Sequence, residues 1–126
     1  MLEAYSLNVT VPTLTAIPFN NVSLKKGCTA SLNGGVATIE LNKCGVYMVE
    51  FDGSSATAAT VQLFKDGVAQ PQAQSTGTSP SFTTLVQVSE NNTCKCCSSP
   101  TTIQIVNAGS ASATFTDVNI CVTKVC

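Results

Sequence analysis

Histidine, arginine and tryptophan are all missing from this 126-residue sequence, and charged residues make up only 10% of it. An average chain carries about a quarter. Without histidine, neither a Ser-His nor a Cys-His nucleophile pair can be assembled. A carboxylate dyad would have to come from Glu50, Asp52 or Asp117, and Asp52-Gly53 and Asp66-Gly67 have the composition of turns. The sequence is therefore expected to be non-enzymatic. The net charge is −1, from six lysines and seven carboxylates that stand mostly alone. No basic stripe is present, which argues against a nucleic-acid partner, and Lys25-Lys26 reads as a solvated loop. No apolar run approaches the roughly 18 residues of a membrane-crossing helix, so no membrane partner is expected. The opening MLEAYSLNVTV lacks the basic flank and long apolar run of a secretion signal. The chain is thus expected either to be assembled inside a cell or to be a piece of a larger exported protein.

What is present is a strand vocabulary: Thr, Ser, Val, Asn and Ala dominate, a mixture suited to short strands and small polar turns. The stretch Cys44–Gly67 organises the rest. Tyr47, Val49 and Phe51 alternate against Val46, Met48 and Glu50, and Thr60 to Lys65 follows as a second strand that Asp66-Gly67 turns into Val68 to Ser75. Before it, Leu7 to Val11 alternates until Pro12. Ala16-Ile17-Pro18-Phe19 reads as a short edge strand, because Pro18 cannot donate to a ladder. Thr29 to Leu32 and Val36 to Leu41 form a hairpin across Asn33-Gly34-Gly35. After it come Ser81 to Val88, with Phe82, Thr84, Val86 and Val88 on one face, then Ile103 to Val106 and Ala113 to Val125. No helical period is sustained. Eight to ten closely spaced strands make an all-β sandwich or barrel in one domain.

Several pieces are more specific. Ala16-Ile17-Pro18-Phe19-Asn20, the run Leu41 to Val49 with its Gly-x-Tyr at Gly45 to Tyr47, Val61 to Gly67, and Ala113-Thr114-Phe115-Thr116 form a recognisable series. The chain resembles the trimeric jelly-roll heads of the complement-globular-head and tumour-necrosis-factor superfamily. The likeness is strongest to the bacterial and phage branch, found on collagen-like surface proteins and in virions, and it covers residues 16–126. Residues 1–15 are expected to be an N-terminal arm or an extra strand. No Gly-X-Y stalk is present in these residues; if 1–126 are the full protein, a trimer would have to assemble without one. The resemblance implies a ten-strand jelly roll packed as a homotrimer, with Tyr47, Val49 and Phe51 in the sandwich core and Val46, Met48 and Glu50 toward the trimer centre. It also implies a virion structural protein, a capsid decoration or head-fibre head of a phage infecting Gram-positive bacteria. The alternative is the receptor-binding or adhesive tip of a bacterial surface or spore filament. The location would be the virion surface, or the cell or spore surface.

Seven cysteines (Cys28, Cys44, Cys94, Cys96, Cys97, Cys121 and Cys126) can be placed by parity. Consecutive antiparallel strands alternate ends, and if Leu41 marks the base, then Cys28, Cys44, the Cys94–Cys97 loop, Cys126 and more loosely Cys121 all fall there. Three readings stay open. A disulfide framework fits oxidising surroundings, with Cys28 and Cys44 expected to bond, or else to share a metal, while Cys96 and Cys97 reach outward to Cys121, Cys126 or another chain. A thiolate zinc site at Cys94, Cys96 and Cys97 lacks the usual C-x-x-C spacing. Plain reduced thiols are the third. No cofactor is expected. The same parity puts 53–59, 76–80 and 108–112 at the apex, where Ser54, Ser55, Thr57, Thr76, Thr78, Ser79, Ser110 and Ser112 are candidate binding residues. A capsid or stalk protein is the partner expected at the base, and a host-surface or mucosal glycan at the apex, although no aromatic platform is offered there. Asn8-Val9-Thr10, Asn21-Val22-Ser23 and Asn91-Asn92-Thr93 match the glycosylation pattern but are idle in a phage or bacterial protein.

Overall fold

The structure is a computed structural model that describes residues 1–27, 29–33, 37–88 and 101–126. Ten strands follow one another: β1 (Leu2–Val11), β2 (Asn21–Lys25), β3 (Ala30–Asn33), β4 (Thr38–Leu41), β5 (Gly45–Ser55), β6 (Ala59–Lys65), β7 (Val68–Gly77), β8 (Ser81–Val88), β9 (Thr101–Asn107) and β10 (Ala113–Lys124). They form two five-stranded antiparallel sheets, ordered β2-β1-β10-β5-β8 and β3-β4-β9-β6-β7. Among the described residues there is no helix, and so none long and apolar enough to cross a membrane.

The two sheets face each other because each strand buries every second side chain. In β5, Tyr47, Val49 and Phe51 are buried while Val46 and Met48 are half-buried and Glu50 is exposed on the other face. In β10 the buried set is Ala113, Phe115, Val118, Ile120 and Val122, and the second sheet answers with Ile39, Leu41, Val61, Leu63, Ile103 and Ile105. A β-bulge in β10 between Phe115 and Asp117 carries the alternation across the change of spacing. Phe51 is central to the aromatic contacts, stacked on Phe82 at 5.7 Å and edge-on to Phe19 at 6.4 Å.

Three elements differ from the sequence expectation. β1 begins at Leu2 rather than Leu7 and lies inside its sheet, paired with β10 along its length and with β2 at its start. Its inward residues Leu2, Ala4 and Ser6 are fully buried. Ser6 is satisfied there, its Oγ donating to Pro18 O and accepting from Asn20 N, both at 2.7 Å. Residues 16–19 are not an edge strand, for they make a single bridge, Ala16 to Val106, and act as a buried strap with Ile17 and Phe19 inside. The edge strand is instead β2, whose residues are all exposed.

The β3–β4 hairpin pairs from Ala30↔Leu41 to Asn33↔Thr38, and Gly34–Val36 lie outside the described residues. The β6–β7 turn has the form that Asp-Gly favours: Asp66 and Gly67 both take positive φ, 49° and 81°, between paired Lys65 and Val68.

Candidate functional site

Pairing registers define two ends. Leu2 lies opposite Val122 and Lys25, Gly45 opposite Val88, Leu41 opposite Ala30 and Thr101, and Lys65 opposite Val68 and Ile103. These ends of all ten strands form the base, and the other ends form the apex.

At the base, the buried Tyr47 hydroxyl holds three chain segments together. It lies 2.7 Å from Lys43 O and 3.2 Å from Thr29 O, and accepts from Lys43 N at 3.2 Å. Asn42 N also donates to Thr29 O at 2.8 Å, so the residues beside Cys28 and Cys44 are tied side by side. Gly45 then passes under the C-terminal segment: Val125 N donates to Val46 O at 2.8 Å, and a Cβ at Gly45 (φ 139°) would sit 2.4 Å from Cys126 O. Glycine is required there by both backbone and space. Cys44 is also at the base, between Lys43 and the start of β5. Cys126 is at the base, exposed and free.

Cys121 lies one residue above the Leu2–Val122 pair, a free, half-buried thiol pointing outward between Glu3 and Glu50 in the register. The alternation of β10 puts Ile120 and Val122 inward, so Cys121 faces away from the sandwich. Cys28, Cys94, Cys96 and Cys97 lie outside the described residues, so the zinc reading for the last three does too. Among the described residues no group of three or more metal-ligating side chains converges.

The outer face of the β2-β1-β10-β5-β8 sheet holds the residues expected at a trimer centre. Val46 and Met48 are half-buried and Glu50 exposed, with Met48 opposite Leu85 on one side and Thr123 on the other. Leu85 and Leu7 on this face are 61% and 59% exposed. The same face carries carboxylates, with Glu3, Glu50, Asp52 and Asp117 all alternating outward. Among the described residues no lysine shares it. The face thus mixes exposed apolar side chains with anionic ones.

The apex gathers the expected segments and adds a fourth. Gly53 N donates to Pro80 O at 3.0 Å and Ser55 N to Thr78 O at 2.8 Å, while Ala108 N donates to Thr60 O at 2.9 Å. Residues 53–55 belong to β5, however, so Ser55 is buried, with its Oγ donating to Thr114 O at 3.2 Å, and Ser54 is half-buried. Only 56–58 form the turn, where Thr57 is exposed. Thr76, Thr78, Ser79, Ser110 and Ser112 are exposed, Thr76 with its hydroxyl 2.8 Å from that of Thr60.

The added segment is 12–15. Leu14, at φ 57°, is 75% exposed at the tip. Its N donates to Asn107 O at 2.7 Å, and the Thr13 hydroxyl donates to Gly109 O. Pro12 signalled the break, but nothing in the sequence said that the break lands on the 108–112 turn. Asn107 holds this region from below. It is buried, donates through Nδ2 to Val11 O at 2.9 Å and Ala111 O at 3.0 Å, and accepts from Gly109 N at 3.0 Å. Above it lies a recess of about 170 Å³ lined by Thr57, Thr60, Ser110 and Ser112. That is below the roughly 300–1,000 Å³ of sites for drug-sized ligands, and it holds no charged group.

No model of a protein family matches this sequence, and no curated protein matches it either. Solved structures do. The PRD1 vertex protein P5 aligns over 99% of this chain and 96% of its own, with 11% identity and a TM-score of 0.67. The globular domain of zebrafish complement 1qA aligns over 95% and 94%, with 10% identity and a TM-score of 0.68. Murine APRIL aligns over 98% of both chains, with 12% identity and a TM-score of 0.61. At such identities what is shared is the fold: two antiparallel sheets in the jelly-roll arrangement of the tumour-necrosis-factor and complement globular heads.

Proposed function

We propose that the chain is a non-enzymatic virion structural protein, the head of a trimeric capsid decoration or head fibre on a phage infecting Gram-positive bacteria. Its base is the anchored end, facing a capsid or stalk protein, and its apex faces outward. The observation that carries this reading is the division of the molecule into unlike ends. The base holds Cys44, Cys126 and a hydrogen-bonded knot at Tyr47. The apex turns hold neither thiol nor charge. The fold shared with a phage vertex protein supports a place on the virion surface.

Self-association into a trimer would use the outer face around Val46, Met48 and Glu50, the face that the superfamily resemblance implies. Three copies of the apex would then allow weak contacts to a host-surface or mucosal glycan to add up. Cys28 is the proposed partner of Cys44, since the strands they flank run side by side.

Gold-labelled antibody against this chain, imaged by electron microscopy on native particles, tests the reading. Label is expected on phage capsids. Label confined to bacterial surface or spore filaments would replace it with the adhesive-tip reading.

A further inference from the structure

The lysines are segregated. All five that are described lie at the base: Lys25 ends β2, Lys26 follows it, Lys43 precedes β5, Lys65 ends β6 and Lys124 is the last residue of β10. Lys95 lies outside the described residues. The described carboxylates are divided. Glu50, Asp52 and Asp117 lie on the outer face of the first sheet, whereas Glu3, on that face but beside the Leu2–Lys25 pair, joins Glu40 and Asp66 in the base half. Asp66 is already engaged, its Oδ1 accepting from Thr102 N at 2.9 Å and from the Thr102 hydroxyl at 3.4 Å. Lys65 Nζ donates to the neutral Gln87 O at 2.6 Å and Lys124 Nζ to Cys126 O at 2.6 Å, while Lys25 and Lys26 are exposed. Among the described residues this end therefore carries five lysines against three carboxylates, in a chain of net charge −1.

We infer that this end docks onto an acidic protein surface. The inference rests on the reading of the base as the anchored end and gives its partner a chemistry. Several features favour a protein over a nucleic acid or a lipid. The lysines are interspersed with exposed aliphatics, Val68 at 63% and Val125 at 49%, which gain from burial against another protein but not against phosphate. There is no arginine to fork onto phosphates. No aromatic side chain is exposed among these lysines to stack on bases. Lysines spread over an end face steer a carboxylate-bearing partner into place, and salt screens that attraction. The anionic outer face behaves oppositely, since salt relieves repulsion between copies meeting there. Docking and self-association thus respond to salt with opposite sign.

The whole chain is titrated with poly-L-glutamate, duplex DNA and phosphatidylglycerol vesicles, at low and at physiological salt. Light scattering is recorded on the same samples. Poly-L-glutamate is expected to bind at low salt, with affinity falling about tenfold or more at physiological salt. The double variant Lys25→Glu with Lys26→Glu should lose about tenfold or more at unchanged melting temperature, and Lys43→Gln should lose part of that. Ser110→Glu at the apex should change nothing. No binding of poly-L-glutamate, or binding indifferent to the lysine variants, overturns the inference. Tighter binding of DNA or of vesicles overturns it in favour of a polyanion or a membrane. A monomer that binds poly-L-glutamate would sink the trimer reading alone, and a trimer that ignores it would sink this inference alone.

Discussion

Met48→Glu is expected to convert the self-associated protein into monomers. Met48 lies half-buried on the outer face of β5, two residues from Val46 and Glu50 and opposite Leu85 and Thr123. A carboxylate there would be the fifth anion on a face that already carries Glu3, Glu50, Asp52 and Asp117. With no lysine among the described residues of that face, it would enter a contact between copies unpaired. An unpaired charge buried in this way costs about 3–5 kcal/mol, enough to weaken association by roughly a hundredfold or more. Met48→Leu keeps the volume and should leave association intact. Because both side chains point away from the sandwich core, the fold should survive each change. High salt should restore part of the assembly of the glutamate variant, since the Debye length falls to about 3 Å near 1 M. Multi-angle light scattering reads all of this, and an unchanged mass for Met48→Glu would exclude this face as the contact.

Asn107→Leu should give the largest loss of stability outside the aliphatic core. Leucine keeps the branching at Cγ, though it is bulkier, and cannot replace the two donations to Val11 O and Ala111 O or the acceptance from Gly109 N. Each buried group left without a partner costs about 1–3 kcal/mol. The apex is close enough to water for part of that to be recovered, so the expected loss is about 2–5 kcal/mol. Against a total stability of about 5–15 kcal/mol, that lowers the melting temperature by about 10 °C. The damage should be local in kind, with amide exchange rising in 108–112 and 12–15 before the base is affected. A melting temperature within about a degree of the parent would mean that water satisfies these groups and that the asparagine is dispensable.

Much of this was legible in the residues. The inward set Tyr47, Val49 and Phe51 follows from period-two alternation alone, and Asp66-Gly67 announces its own turn because few other pairs accept two positive φ values. The placement of Cys44 and Cys126 at one end followed from counting strands. The same count would have placed Lys25, Lys43, Lys65 and Lys124 there too, a signal present in the sequence but masked by reading Lys25-Lys26 as a solvated loop. Other features carry no local signal. β2 has no buried side in Asn21–Lys25 and so no alternation to detect. The first half of β1 buries Ala4 and Ser6, residues that hydropathy does not mark as core. Ile17 and Phe19 are as apolar as strand residues, yet they form a strap because only one backbone bridge reaches them.

By itself, then, the amino-acid order determined which side chains alternate, where the chain turns, and toward which end each connection points, since these depend on neighbours two to four residues away. Which strands lie side by side was decided only by tertiary structure. So were the burial of Asn107 among the carbonyls of Val11 and Ala111, the stranding of Cys121 between Glu3 and Glu50, and the meeting of 12–15 with 108–112. Each of these joins residues far apart in sequence, and such pairings are selected by the fit of two whole sheets and by the need to satisfy every buried polar group. Local propensity does not encode that condition.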